Sequence, residues 1–302
     1  MNQLPSTQRN IDFTLGRDDV SVTVYVPWNC TNNCPFCSSK QDYAKIHSDI
    51  EKVKASLRLI RDSIMPIVVF TGGEPSSNVE LLRELISIVD NKTVFINTSL
   101  PSRNAEAFIR LVNETDCVKS ISISRHRLSY EEDCKILHGI APDEMIATIQ
   151  KPVRINVVQE NENSFAISNV EKYVERWRKV SDSMSNPGNL LLNLRGNFCL
   201  QTPETLHDMS GSKIINELAT RYYYVSHGFC NVCDTCAFDE IDESGNTTFS
   251  IHYHRGLLHT SIRFGNVCEI NDLIILQDGS ICYDWDGKNE AIEYFLSMIS
   301  EK

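Results

Sequence analysis

Cys30-Thr-Asn-Asn-Cys34-Pro-Phe-Cys37 places three thiols within eight residues, directly after the apolar run Val22–Val26. Thiolates at spacings of four and three can close around one inorganic centre. A cubane of four irons held by three of them keeps one iron without a protein ligand, and that iron can bind an outside molecule. The same residues would also suit a zinc loop short of its fourth ligand, or cysteines buried for packing.

A second stretch of this kind is Thr71-Gly-Gly-Glu-Pro75, at the end of the apolar run Ile67–Phe70. Paired glycines at a strand's carboxyl end permit positive φ and let a ligand approach the backbone. Glu74 adds a carboxylate able to hold an ammonium group. Alone, the stretch is equally a good turn.

Both stretches need a scaffold, and the patterning supplies one. Val22–Val26, Ile67–Phe70, Val94–Asn97, Val118–Ser124, Val153–Val158 and Leu190–Leu194 read as six strands. Helical spacing separates them: Ile50, Val53, Leu57, Ile60 and Ile64; Leu81, Leu82, Leu85, Ile86 and Val89; Phe108, Ile109 and Val112; a helix near Asp143–Gln150; and Val170, Tyr173, Val174, Trp177 and Val180. Ser48-Asp-Ile-Glu51 and Ser77-Asn-Val-Glu80 carry capping-box spacing before the first two. Alternating strands and helices predict right-handed βαβ units and a parallel sheet, either open or an incomplete barrel. In both, reactive groups belong after the carboxyl ends of strands, where the two stretches fall.

The 302 residues accommodate one large α/β domain and a smaller appendage, with a boundary near residue 200: 1–200 and 201–302. A net charge of −11 argues against non-specific nucleic-acid binding. There is no signal-peptide pattern and no membrane-length apolar run, so the expected location is the cytoplasm. Eleven cysteines in a reducing compartment favour metal or cluster ligation over disulfides.

Taken together, Cys30-x-x-x-Cys34-x-x-Cys37 and Gly72-Gly73-Glu74-Pro75 resemble the radical S-adenosylmethionine (SAM) superfamily, over roughly residues 20 to 195. The resemblance implies an incomplete (β/α)6 TIM-like barrel with a small C-terminal cysteine-rich α+β extension. Cys30, Cys34 and Cys37 would hold a [4Fe–4S] cluster whose open iron takes the amino and carboxylate groups of SAM. Reductive cleavage would then give methionine and a 5′-deoxyadenosyl radical that abstracts hydrogen from a substrate. Phe36 meets the family's aromatic preference, and Gly72, Gly73 and Glu74 would hold the methionine amino group. Thr98, Ser122, Ser124 and Asn156 fall where relatives place further polar SAM contacts. A flavodoxin or ferredoxin would supply the electron.

Downstream, Cys230-x-x-Cys233-x-x-Cys236, with Cys268 as fourth ligand or Cys282 in its place, and the hairpin turn Gln277-Asp-Gly-Ser280 resemble the superfamily's twitch and SPASM extensions. They imply a second iron–sulfur cluster, with zinc the alternative. Cys117, Cys134 and Cys199 are isolated and read as packing residues. Arg125 and Arg127 follow the fourth strand and could anchor an anionic substrate. His252, His254, Arg255 and Arg263 form a basic cluster, read either as substrate-binding or as an exposed edge strand. The substrate expected is a small molecule or nucleotide. A peptide maturase is the alternative, usually with an N-terminal peptide-binding domain for which the segment before Val22 is short. A non-catalytic iron–sulfur or zinc sensor is the alternative outside enzymes, but it would have no need of the glycine turn.

Overall fold

The structure is a computed structural model that describes residues 12–15, 18–26, 30–37, 46–161, 163–196, 213–229, 233–256, 261–264, 266–284 and 296. After a short β1 (Asp12–Leu15), strand β2 (Ser21–Val26) leads into the cysteine loop and helix α1 (Ile50–Arg61). Then follow β3 (Ile67–Gly72), α2 (Val79–Ile88), β4 (Thr93–Thr98), α3 (Ala105–Glu114) and β5 (Val118–Ser124). Two single turns, α4 (Tyr130–Asp133) and α5 (Asp143–Ile146), precede β6 (Val153–Val158), α6 (Ile167–Ser181) and β7 (Leu190–Arg195). The helix expected near Asp143–Gln150 is thus only one turn long.

Strands β2 to β7 lie side by side in sequence order, each parallel to the next. Alternation gives the sheet two unlike faces. On one, Val22, Val24, Val68, Phe70, Val94, Ile96, Ile121, Ile123, Val153, Ile155, Leu192 and Leu194 are fully buried in the main core. Helices cover this face: α1 contributes Val53 and Leu57, α2 Leu82 and Leu85, α3 Phe108 and Val112, α6 Val174 and Trp177. The intervening residues face the other way, and it is this open face that carries Thr71, Asn97, Ser122, Ser124, Arg154, Asn156 and Asn193.

Helix α1 is capped by Asp49, whose side chain accepts from Lys52 N–H, and α2 by Asn78, which accepts from Leu81 N–H. Both caps fall one residue after the expected Ser48 and Ser77. Short carboxylate and amide side chains are equally good caps, so residue type alone does not choose between neighbours.

The C-terminal residues add α7 (Lys213–Arg221), β8 (Tyr223–Phe229), β9 (Cys233–Ile241), β10 (Thr247–Gly256), β11 (Ser261–Phe264), β12 (Val267–Ile270), β13 (Asp272–Ile275) and β14 (Ile281–Cys282). Of these, β8, β9, β10, β13 and β14 join the two edges of the same sheet, whose order is β14-β13-β2-β3-β4-β5-β6-β7-β10-β9-β8, while β11 and β12 pair with β1 in a separate three-stranded sheet. Strand β10 extends β7 in parallel and β13 runs parallel to β2. Buried Asp272 fastens the latter junction, accepting from Ser21 Oγ at 2.7 Å and Thr23 Oγ1 at 2.8 Å. The β13–β14 turn abuts α1: Ser56 Oγ donates to Gly279 O at 2.6 Å, and Asp49 N–H to Gln277 O at 2.9 Å. A boundary at residues 200 and 201 lies outside the described residues. No helix among those described is long and apolar enough to cross a membrane.

Candidate functional site

Residues 30–37 follow β2 at its carboxyl end and are held from the side as well as by a turn of their own. Asn33 N–H donates to Ile136 O at 2.7 Å. Asn32 uses both ends of its amide: Oδ1 accepts from His138 N–H at 3.0 Å, and Nδ2 donates to Ser99 Oγ at 3.0 Å. Cys37 N–H closes a turn onto Cys34 O at 3.3 Å, and the Phe36 ring meets His126 edge-on, centroids 4.6 Å apart. Cys30, Cys34 and Cys37 are all half-buried, reduced thiols. Among the described residues, no three His, Cys, Asp or Glu side chains converge as they would on a single metal ion. A four-iron cluster takes one thiolate per iron, so its ligands ring a volume instead of meeting at a point. Three thiols on one loop, all reachable, fit that donor set.

The glycine turn lies next to this loop because β2 and β3 are in register through Val26 and Gly72. Gly72 has φ +110° and Gly73 does not share the positive φ. The Glu74 carboxylate, expected to receive an ammonium group, is instead saturated from within. Its Oε1 accepts from Ser76 N–H at 3.2 Å, Ser76 Oγ at 2.9 Å and Thr98 Oγ1; Oε2 accepts from Ser99 N–H at 2.8 Å and Ser99 Oγ at 2.5 Å. Glu74 is 4% exposed. It brackets the ends of β3 and β4 together, and Ser99 carries the bracket on to Asn32. Thr98, expected as a SAM contact, is buried and commits its hydroxyl to Glu74 and to Leu100 N–H. A cavity of about 330 Å³, bounded by Thr31, Asn32, Glu74, Ser99, Arg103 and His138, separates loop from turn.

Ser122 and Ser124 are half-buried on the open face. Register continues their rows across the sheet: Ser124, Asn156, Asn193 and His252 are lateral neighbours, as are Asn97, Ser122 and Arg154. Asn193 Nδ2 donates to Asn156 Oδ1 at 2.7 Å. Strand β10 lies between β7 and β9, so His252, His254 and Arg255 are on no exposed edge strand. His252 and His254 share the open face, as alternation predicts. Arg255 is buried and alternates onto the opposite face, away from any substrate there. Arg263 lies on β11, in register with Cys268 in a separate three-stranded sheet.

Arg125 does not anchor a substrate. Its side chain is fully buried and spent on the protein: Nη1 donates to Ser99 O and Ser124 O, both at 2.8 Å, Nη2 to Ala141 O at 2.9 Å, and Nε to Asp143 at 3.2 Å. Arg176 joins the same cluster through Asp143 and Asp133. Arg127 is half-exposed and paired with Glu160, beside a polar cavity of about 480 Å³ that His126 and Tyr173 also line. Neither Asn32 nor Ser76 stood out in the sequence as a site residue.

His126 is buried, accepts from Val158 N–H at 3.3 Å on Nδ1, and has its pKa pushed down to about 3, by burial first and the neighbouring arginine charges second. An unfolded imidazole titrates near 6.5, so the unfolded chain takes up this proton first and stability falls with pH between about 6.5 and 3. In denaturant titrations His126→Gln is expected to flatten that acid slope by up to one proton, about 1.4 kcal/mol per pH unit. An unchanged slope would remove His126 as the group that acid attacks.

Of the second cysteine group, Cys230 lies outside the described residues and Cys233 opens β9. The backbone is extended from there to Cys236, which is buried opposite Tyr253 in the main core. Cys268 is buried in that core too, whereas Cys282 is buried with Tyr25, Ile274 and Leu276.

Comparison with known proteins follows the same line. The fold is similar to SuiB of Streptococcus suis bound to its precursor peptide SuiA: TM-score 0.57 and 13% identity, covering 94% of this chain and 65% of SuiB. For SuiB alone the TM-score is 0.53 at 13% identity, covering 87% of this chain and 59% of SuiB. In both cases the chain spans less than two thirds of SuiB's length. No curated protein sequence matches the chain. It is over residues 26–157, which hold the cysteine loop, the glycine turn and strands β3 to β5 with most of β6, that the chain matches the Radical SAM superfamily.

Proposed function

We propose that the chain is a radical SAM enzyme built on an incomplete (β/α)6 barrel. One observation carries the reading: the cysteine loop and the Gly72 turn leave neighbouring parallel strands and are tied by a chain of hydrogen bonds, Asn32 to Ser99 to Glu74, buried at its Glu74 end. Cys30, Cys34 and Cys37 would hold a [4Fe–4S] cluster. When bound, the cluster supplies the electron that splits SAM into methionine and a 5′-deoxyadenosyl radical able to abstract a substrate hydrogen. The backbone at Gly72 and Gly73 holds the amino group of SAM, with Glu74 fixing that backbone. Ser122, Ser124 and Asn156 present hydroxyl and amide groups to SAM on the open face. Phe36 packs against His126 and keeps water from that side of the loop. An electron donor such as a flavodoxin or ferredoxin serves the cluster.

The first substrate reading is a small molecule or nucleotide. A second, a peptide, is favoured by the fold shared with SuiB in its precursor-peptide complex.

Anaerobic reconstitution with iron and sulfide, followed by dithionite and SAM, tests the reading. The full chain should release 5′-deoxyadenosine, and Cys34→Ala should release none. An intact, reduced cluster that yields none would overturn the proposal in favour of a sensor. Iron content also addresses a second centre on Cys230, Cys233, Cys236 and Cys268: about four irons per chain for one cluster, about eight for two.

A further inference from the structure

Between β5 and α5 the chain makes a detour that touches the cysteine loop. Three backbone groups of residues 133–141 reach the site. Ile136 O accepts from Asn33 N–H at 2.7 Å, His138 N–H donates to Asn32 Oδ1 at 3.0 Å, and Gly139 O accepts from Ser102 N–H at 2.7 Å. The first two fix residues between Cys30 and Cys34. The third ties the same segment to the chain leaving β4.

One buried cluster of charges holds both ends of this segment. Asp133 opens it and is fully buried: Oδ1 accepts from His126 N–H at 2.7 Å and Arg127 N–H at 3.0 Å, and Oδ2 from Arg176 Nη1 at 2.8 Å. Arg125, buried to the same degree, holds the far end through Ala141 O and reaches Ser99 O with its other nitrogen. Asp143 joins the two arginines, 3.2 Å from Arg125 Nε and 2.8 Å from Arg176 Nε. Two arginines and two aspartates balance, so the cluster needs no outside ion. Apolar side chains filling the same space could stabilise the fold equally. What the charges add is direction, because each bond fixes a particular backbone group.

A second observation marks the place where the segment crosses β4. Leu100 is fully buried at φ +54°, in the left-handed region that a non-glycine residue keeps only where its surroundings enforce it. Its carbonyl accepts from Ala141 N–H at 2.8 Å, and its N–H donates to Thr98 Oγ1, the hydroxyl that also serves Glu74. The segment and the Glu74 bracket therefore meet at one strained residue.

We propose that residues 133–141 are a strap that sets the cysteine loop against the Gly72 turn, with Arg125 and Asp133 as its positioning residues. The proposal rests on the radical SAM reading, because SAM must reach the loop and the turn at once and so registers their relative placement.

Hydrogen exchange of the iron-free full chain, followed by mass spectrometry, tests the strap without any activity. Asp133→Asn keeps an acceptor for the two N–H groups but weakens the hold of Arg176. Tyr130→Phe is milder, removing the 3.0 Å bond from Tyr130 Oη to Ile140 O and no charge. Exchange should quicken in residues 133–141 and 30–37 together, by about tenfold or more in Asp133→Asn and about threefold in Tyr130→Phe, with β9 and β10 unchanged. Arg125→Lys keeps the charge but not the fork that reaches Ser99 and Ala141. In the reconstituted variant the KM for SAM should rise about tenfold or more while kcat falls less than about threefold. A purely structural role would leave KM per folded chain at the wild-type value. The proposal is overturned if residues 30–37 keep their wild-type exchange in both exchange variants, or if KM in Arg125→Lys stays within about twofold of wild type. Absence of 5′-deoxyadenosine from the wild-type protein would instead sink the radical SAM reading, and the exchange result would still stand.

Discussion

Glu74→Ala is expected to destabilise the fold by about 2–6 kcal/mol, and to do so through β4 as much as through the glycine turn. The carboxylate serves two backbone N–H groups, at Ser76 and Ser99, and three hydroxyls. Hydroxyls can rotate to other acceptors, but the two N–H groups cannot, and each buried unsatisfied donor costs about 1–3 kcal/mol. Glu74→Gln should cost less than Ala, about 1–3 kcal/mol, since one oxygen survives while the new NH2 faces an N–H that cannot turn away. Urea denaturation of the three proteins measures this directly. Loss of SAM binding in Glu74→Gln with unchanged stability would restore the simpler role, a carboxylate aimed at the SAM ammonium. The bracket predicts the reverse order: stability falls first, and SAM binding falls because Gly72, Gly73 and the cysteine loop are no longer held in register.

What the sequence made legible, and what it did not, divides along local and non-local chemistry. Strands β2 to β7 show as apolar runs because one face of each lies under helices and most of the other is only partly exposed; their order follows from chain connectivity. The cysteine loop and the Gly-Gly-Glu-Pro turn are likewise contiguous stretches. Glu74's partners Thr98 and Ser99, by contrast, arrive from the next strand, and Asn32 from the previous loop. Nothing in those residue types distinguishes a bracket from a solvated turn. Arg125 misleads for the same reason: beside Arg127 after a strand it reads as an anion anchor, and only the fold shows its guanidinium wrapped by Ser99, Ser124, Ala141 and Asp143. The C-terminal strands have legible alternation, but their partners do not follow from it. Parallel pairing of β13 with β2 joins residues some 250 apart in sequence.

Gly72→Ala is the substitution expected to strike the site most directly. Gly72 sits at φ +110°, a conformation that costs an L-residue about 1–2 kcal/mol. A Cβ built there meets Val26 N at 2.8 Å, Tyr25 Cα at 3.0 Å and Val26 O at 3.0 Å, all backbone of the strand that leads into the cysteine loop. Backbone cannot swing aside as a side chain can, so β2 must separate from β3 where the loop departs, adding about 1–3 kcal/mol. The expected result is a variant some 2–5 kcal/mol less stable that retains little iron after reconstitution. Gly279→Ala distinguishes local from general damage. It has the same kind of fault, φ +84° with Cβ contacts of 2.4 and 2.6 Å to Lys52, but in the turn that abuts α1. Its stability should fall comparably while the folded fraction still binds its iron. Equal iron retention in the two variants, measured per folded chain, would show that the β2–β3 junction does not position the cysteine loop.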